Sequence, residues 1–435
     1  MIKRLVIIAF LTGFGHITTL LSLKYISKFV ENDTIAIIGE IDSLILLIVA
    51  IIAFGLQLSS TRDIALIEDW KTELQEAQKA RFTLSLILIG FGITGFMFTK
   101  NYLFFTAPII ALNADYALYG RGKPIMGGFV ALIRVLTPSL ALVIASVYFK
   151  SDIVILFVGS LVLAYLITGI IVSKSLGVKY LVKPELKSLK KYLGNINIGV
   201  ASFSLFFIGI GILNVLSYFY SSQTIAISYI ALKLYMIFKG VRRIIVQSFF
   251  QELKEKMVSL KVDYFSMIAG VIFLNSIIFF PNILIPLLFD DKFEKYTTTF
   301  IILGIAGFLS SITTSTGTLL LLNRQDKQYS KILISAAIIS IVSGIIFYFF
   351  IGEEPFLIAL AILIGELIIS VFNVRALKEI NFIKNRIKVI FPILVFSVIF
   401  IPIKLYNLQD VLTLSISFIF YIIAILIYTK LTIKT

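Results

Sequence analysis

Residues 55–82, "GLQLSSTRDIALIEDWKTELQEAQKARF", form a charged passage between two almost purely apolar stretches, and they contain the only Trp of the chain. Apolar residues recur in this passage at spacings of three and four, at Ile64, Ile67, Trp70, Leu74 and Ala77. This spacing places them on one face of a helix, and the charged residues lie mostly off that face. The pattern predicts an amphipathic helix in the headgroup zone of a membrane, with its Trp at the boundary.

The composition of the whole chain is that of an integral membrane protein. Hydrophobic residues make up 59% of its 435 residues, charged residues make up only 14%, and the mean hydropathy is +1.02. These values lie far outside the range of soluble domains. The chain has no Cys and one His, which excludes a disulfide framework and a thiolate metal site and leaves little for a His-based metal site. We expect no cofactor.

Apolar runs of roughly 20 residues, each long enough to cross ~30 Å of hydrocarbon, repeat along the chain. They predict an all-α polytopic membrane protein with about fourteen transmembrane helices. The predicted spans are 5–28, 36–58, 82–99, 102–119, 125–149, 153–173, 196–220, 223–241, 263–289, 297–322, 331–351, 355–374, 387–403 and 411–429.

The distribution of basic residues predicts the orientation of these spans. With both termini in the cytoplasm, most of the 39 Lys and Arg residues fall on the cytoplasmic side. Arg134 and Lys233 fall inside spans, and the residues that fall on the outer side are Lys24, Lys28, Lys100, Lys150, Lys292, Lys295 and Lys404. This asymmetry follows the positive-inside rule. The net charge of +15 is therefore mainly a topogenic signal, which argues against nucleic acid as a partner.

The chain also repeats itself at an offset of six spans. A second charged, amphipathic passage at 248–265 corresponds to 55–82, and the tight basic turns at 118–124 and 321–329 correspond to each other. An even offset predicts two parallel repeats, an arrangement that suits alternating access. We therefore expect an N-lobe of six helices (1–173), a basic cytoplasmic linker (174–195), a C-lobe of six helices (196–374) and two additional helices (375–435).

Two short passages carry a family resemblance. "FGLQLSSTRDIAL" (54–66) and "LLNRQDKQYSKI" (321–332) resemble Wzx-type polysaccharide flippases, whose superfamily includes the MATE exporters and the MurJ-type lipid flippases. The resemblance implies two lobes around a central cavity in the bacterial inner membrane. It implies an undecaprenyl-diphosphate-linked oligosaccharide as cargo, and polysaccharide polymerase and chain-length proteins as partners. The two additional helices resemble the MurJ arrangement more than a twelve-helix MATE protein.

Ionisable residues inside the predicted spans are the candidate site residues, because they are costly in hydrocarbon. Cations suited to an anionic headgroup are Arg134, Lys233, Lys24 and His16. Carboxylates suited to ion coupling or gating are Glu40, Asp42, Asp115 and Glu366. Basic residues placed to attract cargo at the cytoplasmic side are Arg62, Arg121, Lys123, Arg324 and Lys327.

Several of these candidates also have a purely structural explanation. Lys24 can extend to the outer headgroups, or pair with Glu40 or Asp42. Arg134 can pair with Asp115, which is predicted at a comparable depth. Lys233 and Glu366 can pair with each other or face the cavity separately.

Two other functions remain open at the level of sequence. A MATE-type exporter would recognise small cations through buried carboxylates, whereas this chain has several buried cations. A membrane glycosyltransferase or O-antigen polymerase needs a roomy catalytic loop, and the outward connections predicted here are short. No P-loop is present in the sequence, so we expect an ion gradient or the consumption of product to drive transport.

Overall fold

A computed structural model describes residues 2–54, 60, 64, 67–99, 102–149, 152–194, 196–248, 253, 255–378, 382–405, 412–413, 415–417, 419–421 and 423. Throughout these residues the regular secondary structure is helical. The all-α fold class is confirmed.

Contacts divide the chain into two compact units, Met1–Tyr229 and Ile230–Thr435. The helices of the first unit are α1 (Ile2–Phe29), α2 (Asn32–Ala53), α3 (Trp70–Thr99), α4 (Ala107–Ala111), α5 (Tyr116–Gly120), α6 (Pro124–Tyr148), α7 (Ile153–Leu176), α8 (Leu186–Leu193), α9 (Ile196–Phe207) and α10 (Leu213–Leu216). Short 3-10 helices cover Tyr102–Thr106 and Ile210–Ile212.

The boundary between the units falls inside α11 (Ser222–Ser248). The second unit continues with α12 (Lys256–Phe279), α13 (Pro281–Leu288), α14 (Thr297–Ile312), α15 (Thr316–Leu322), α16 (Asp326–Phe350), α17 (Pro355–Leu377), α18 (Phe382–Phe396) and α19 (Phe400–Leu405). Its 3-10 helices are Asp291–Tyr296 and Ser397–Ile399.

Eight helices within the described residues are long and apolar enough to cross a membrane, or nine if α9 and the bent segment after it form one span. This makes the protein a multi-pass membrane protein, while the count of fourteen spans stays a prediction. α9 and α10 pack on α2, which places the first helix beyond the predicted linker in the first unit. The division into lobes at 174–195 also stays a prediction.

Several predicted spans are interrupted within the described residues. The span at 102–119 stops at Ala111 and restarts at Tyr116, and the span at 297–322 stops at Ile312 and restarts at Thr316. The span at 196–220 bends by 75° after Phe207. The first two breaks contain the polar runs "NAD" (113–115) and "TTS" (313–315), whose side chains compete with the helical backbone for hydrogen bonds.

Each polar break is held to another helix of its own unit in the same way. In the first unit the Asn113 side-chain amide donates to Thr168 Oγ1 of α7 at 2.7 Å. In the second unit Thr313 Oγ1 lies 3.0 Å from Ser370 Oγ of α17. All four side chains are buried. The two bonds satisfy groups that would otherwise be costly in an apolar interior.

Only part of the charged passage 55–82 lies within the described residues, so a helix of this passage in the headgroup zone stays a prediction. From Trp70 onward it is the start of α3, which runs without interruption to Thr99. Its apolar face packs against protein instead of lipid, because Leu74 and Ala77 are fully buried in a cluster with Tyr116 and Val172. In the second charged passage α12 begins at Lys256 and continues into the predicted span 263–289 as far as Phe279.

The charged side chains of α3 hold the linker helix α8. Lys79 Nζ lies 2.8 Å from both Glu76 Oε1 and Glu185 Oε2. Ser188 Oγ donates to Glu76 Oε2 at 2.6 Å, and the Tyr192 hydroxyl donates to Glu73 Oε1 at 2.8 Å. The charged face of the opening passage therefore fixes the second half of the basic linker against α3.

Candidate functional site

A small polar cavity lies where five segments of the first unit converge. Its volume is about 40 Å³, which is room for about three water-sized spheres. The lining residues come from α2, α3, the broken span, α6 and α7: Val49, Ala53, Arg81, Ile110, Asn113, Asp115, Tyr116, Arg134 and Tyr165. The break in the helix at 112–115 is what delivers Asn113 and Asp115 to this cavity.

Arg134 projects from α6 into the cavity and pairs with Asp115, the structural partner that the sequence offered. The two side chains are 19% and 15% exposed. The guanidinium also lies over the Tyr165 ring, with 5.5 Å between its central carbon and the ring centroid. Its Nε is buried and has no hydrogen-bond partner. The ion pair therefore uses only part of the donor capacity of Arg134.

Arg81 is a second arginine of the cavity, and the sequence predicts it outside the span that begins at residue 82. It is only 6% exposed, and its guanidinium lies 5.0 Å from the centroid of the Tyr116 ring. Its Nε is also buried without a hydrogen-bond partner. In the sequence, Arg81 could have been identified by its position directly before an apolar run, on the face of α3 that carries Leu74 and Ala77.

The lining carries two guanidinium groups and one carboxylate, so positive charge is in excess. Charges in an apolar interior interact far more strongly than in water, and an unpaired donor there is costly. The arrangement suits an anion or the oxygens of a phosphoryl group. The volume is too small for a sugar diphosphate in this conformation.

The second unit contains a comparable surplus of cations. Glu366 of α17 is 3% exposed and accepts hydrogen bonds from Lys239 Nζ at 2.7 Å and from the Tyr235 hydroxyl at 2.6 Å. The cation beside Glu366 is thus Lys239, predicted as cytoplasmic, while Lys233 lies half-buried earlier on α11. Arg242 donates hydrogen bonds to Thr314 Oγ1 at 3.0 Å and to Ser310 Oγ. Both acceptors are neutral hydroxyls beside the helix break.

Asp263 and Arg386 form a second buried pair in this unit that the sequence did not single out. Arg386 is 2% exposed and Asp263 is fully buried. The carboxylate accepts from Arg386 Nε at 2.9 Å, and it also accepts from the backbone N–H and hydroxyl of Ser315 at 2.7 and 2.8 Å. Arg386 lies directly before the predicted span 387–403, where a basic residue is ordinarily assigned to the cytoplasm.

The predicted charges of α1 and α2 are not brought to the cavity. His16, Lys24 and Asp42 are half-buried and Glu40 is exposed. Asp42 lies 3.4 Å from the Tyr229 hydroxyl, where Gly39 permits the close approach of the Tyr229 ring. Pairing of Lys24 with Glu40 or Asp42 stays a prediction.

The basic residues predicted to attract cargo at the cytoplasmic side are exposed where the structure describes them. Arg121, Lys123, Arg324 and Lys327 all lie at the two tight turns, while Arg62 lies outside the described residues. Arg121 covers the Trp70 ring, with 4.7 Å to the centroid, and Lys123 Nζ donates to the Ser175 carbonyl at 2.6 Å. The Trp that was predicted at the membrane boundary thus contacts an arginine of the first turn.

Comparison with solved structures places the fold. The lipid II flippase MurJ in an inward closed conformation superposes with a TM-score of 0.70 at 16% identity, over 98% of each chain. The chain shares its fold with MurJ. A MATE protein in complex with MaL6 gives a TM-score of 0.58 at 15% identity, over 89% of this chain and 96% of the other. A MATE protein in the bent conformation gives a TM-score of 0.51 at 15% identity, over 89% of this chain and 95% of the other.

No protein-family profile matches the sequence. No curated protein matches it significantly either. The relationship to MurJ and MATE proteins is therefore one of fold.

Proposed function

We propose that the protein is a transporter that turns an undecaprenyl-diphosphate-linked oligosaccharide from the cytoplasmic to the outer leaflet of the bacterial inner membrane. It works by alternating access and draws on an ion gradient. The protein is not an enzyme in this proposal. The resemblance to Wzx-type flippases supplies the cargo, and polysaccharide polymerase and chain-length proteins are its proposed partners.

The observation that carries the proposal is the surplus of buried or partly buried guanidinium groups beside the helix breaks. Asp115, Glu366 and Asp263 each have a cation of their own, namely Arg134, Lys239 and Arg386. Arg81 and Arg242 come in addition, and neither is in an ion pair within the described residues. Arginine binds phosphate oxygens through several donors at once, which supports an anionic headgroup as the transported group.

The similarity to solved structures supports the same cargo class. The match to the flippase extends over 98% of this chain, whereas the match to the MATE protein extends over 89% of it. A MATE-type exporter of small cations is the second candidate, because the chain does contain buried carboxylates. Each of them is already neutralised by an adjacent cation, which makes a cationic substrate the less favourable choice.

The proposal is tested with purified protein in liposomes that carry a fluorescent lipid-linked oligosaccharide in one leaflet. We expect the lipid to be exposed on the opposite face without ATP. Arg242→Gln should lower the rate about ten-fold or more, as expected for the loss of a charge-assisted hydrogen bond. The matched control is Arg375→Gln, which removes an equal charge from an exposed position and should leave the rate unchanged.

Exposure should be measured under both a proton gradient and a Na⁺ gradient. Absence of lipid exposure under both, with efflux of small organic cations by the same preparation, would assign the protein to the exporter class instead.

A further inference from the structure

Two guanidinium nitrogens of the first unit point to a ligand other than Asp115, in a cavity that is too small for the proposed cargo in this conformation. Arg81 Nε and Arg134 Nε are both buried, lack hydrogen-bond partners and belong to side chains that line the same 40 Å³ cavity. Buried donors in native proteins almost always have a partner, either protein, water or ion. The cavity is where such a partner fits.

Charge decides the class of this partner. Asp115 compensates only one of the two guanidinium groups, and the remaining walls are the neutral residues Val49, Ala53, Ile110, Asn113, Tyr116 and Tyr165. Water would satisfy the donors but would leave the excess positive charge in a low-dielectric environment. An anion satisfies both the donors and the charge.

Size decides which anions fit. A volume of about 40 Å³ has room for water-sized groups, and a halide ion is a single sphere that fits within it. We propose that this cavity binds a small inorganic anion of the size of chloride, held between Arg81 and Arg134. The binding requires no cargo, so it stands whether or not the protein moves lipid-linked oligosaccharides.

Arg81 is the residue that tests the site, because its removal leaves no carboxylate without a partner. Asp115 keeps Arg134 in the Arg81→Gln variant. We expect this variant to fold, and its unfolding temperature in gluconate should lie close to that of the wild type or above it, since an unbalanced buried charge is gone. Arg81→Lys keeps the charge but loses the planar guanidinium donors and should bind the anion more weakly.

The experiment measures binding of radioactive chloride to the purified full-length protein, together with the unfolding temperature in chloride and in gluconate. The wild type should bind chloride, bromide should compete, and chloride should raise the unfolding temperature by about 3 °C through ligand linkage. Arg81→Gln should lose at least ten-fold in affinity and lose the temperature shift. Arg375→Gln, which removes an exposed arginine, should behave like the wild type.

Equal responses of the wild type and Arg81→Gln to chloride would overturn the proposal, since they would identify a general salt effect. No chloride binding by the wild type would overturn it as well and would leave water in the cavity. Displacement of chloride by inorganic phosphate at comparable concentration would contradict the size argument. None of these results affects the lipid-exposure assay, so the two proposals fail separately.

Discussion

At the scale of single residues, Arg134 and Asp115 show how one pair can serve structure and function together. Both side chains are mostly buried and line the cavity. We expect Arg134→Ala to lower the free energy of unfolding by about 3 kcal/mol, because it leaves a buried carboxylate unpaired. Arg134→Lys should keep part of the stability, but it loses the planar guanidinium group that can bind two oxygens at once.

Two readouts separate the roles of this pair: thermal unfolding for stability and lipid exposure in liposomes for transport. The double variant Asp115→Asn, Arg134→Gln removes both charges, and it should recover most of the stability without recovering lipid exposure. Recovery of both properties would make Arg134 a structural partner only, and the assignment of its guanidinium to the cargo would then be wrong.

Residues at the ends of predicted spans were the least predictable from sequence. Arg134 was singled out because it lies well inside an apolar run. Arg81, Arg242 and Arg386 lie within about a turn of predicted span ends, where hydropathy cannot separate a side chain that faces the cytoplasm from one that turns into the protein. Only the neighbouring helices decide this, and their positions are not encoded in the local sequence.

At the scale of elements, long uniform spans were predicted well. The predicted spans 331–351 and 355–374 correspond to α16 and α17, which end near the predicted residues. The broken spans were missed because their apolar residues continue through the polar breaks at 113–115 and 313–315, so the mean hydropathy remains high. At the start of α3 the predicted apolar face is buried in protein at Leu74 and Ala77. The sequence could not show this, because a surface that binds another helix has the same period as one that binds lipid.

The contact between α3 and α8 should depend on pH. Hydrogen bonds from Lys79 and Ser188 lower the pKa of Glu76 below its ordinary value of 4.5. Hydrogen bonds to Glu185 and Glu76 raise the pKa of Lys79 above its ordinary value of 10.5. A lowered carboxyl pKa stabilises the contact above pH 4.5, and this stabilisation is lost as the pH falls through the lowered value. The lysine contributes at any pH below 10.5.

Spin labels test this contact, since the chain has no native Cys and Gln75 and Lys190 are both exposed. With cysteines at these two positions, the distance distribution should be narrow at pH 7 and should broaden as the pH is lowered well below 4.5. Glu76→Gln should already be broader at pH 7 and should change less on acidification. A wild-type distribution that stays narrow well below pH 4.5 would show that the carboxylate does not hold α8.

At the scale of the whole molecule, the orientation in the membrane is open to a direct test. The positions Asp33, Asp291, Glu353, Lys187 and Lys327 are all exposed, so replacing them one at a time with cysteine should not disturb packing. Cysteines at the first three positions should react with an impermeant thiol reagent added to intact cells. Those at Lys187 and Lys327 should react only after the membrane is opened. Reaction of Lys187→Cys in intact cells would reverse the predicted orientation.

The bond between Asp263 and Arg386 has a consequence for synthesis. The two residues are 123 positions apart, and Ser315, the other partner of the carboxylate, follows Asp263 by 52. At about 5–20 residues per second, translation leaves the carboxylate of α12 without its arginine for about 6–25 seconds. During this interval the nascent helix must keep a charged group away from lipid by other means. The second unit can therefore form this buried ion pair only after α18 has been synthesised.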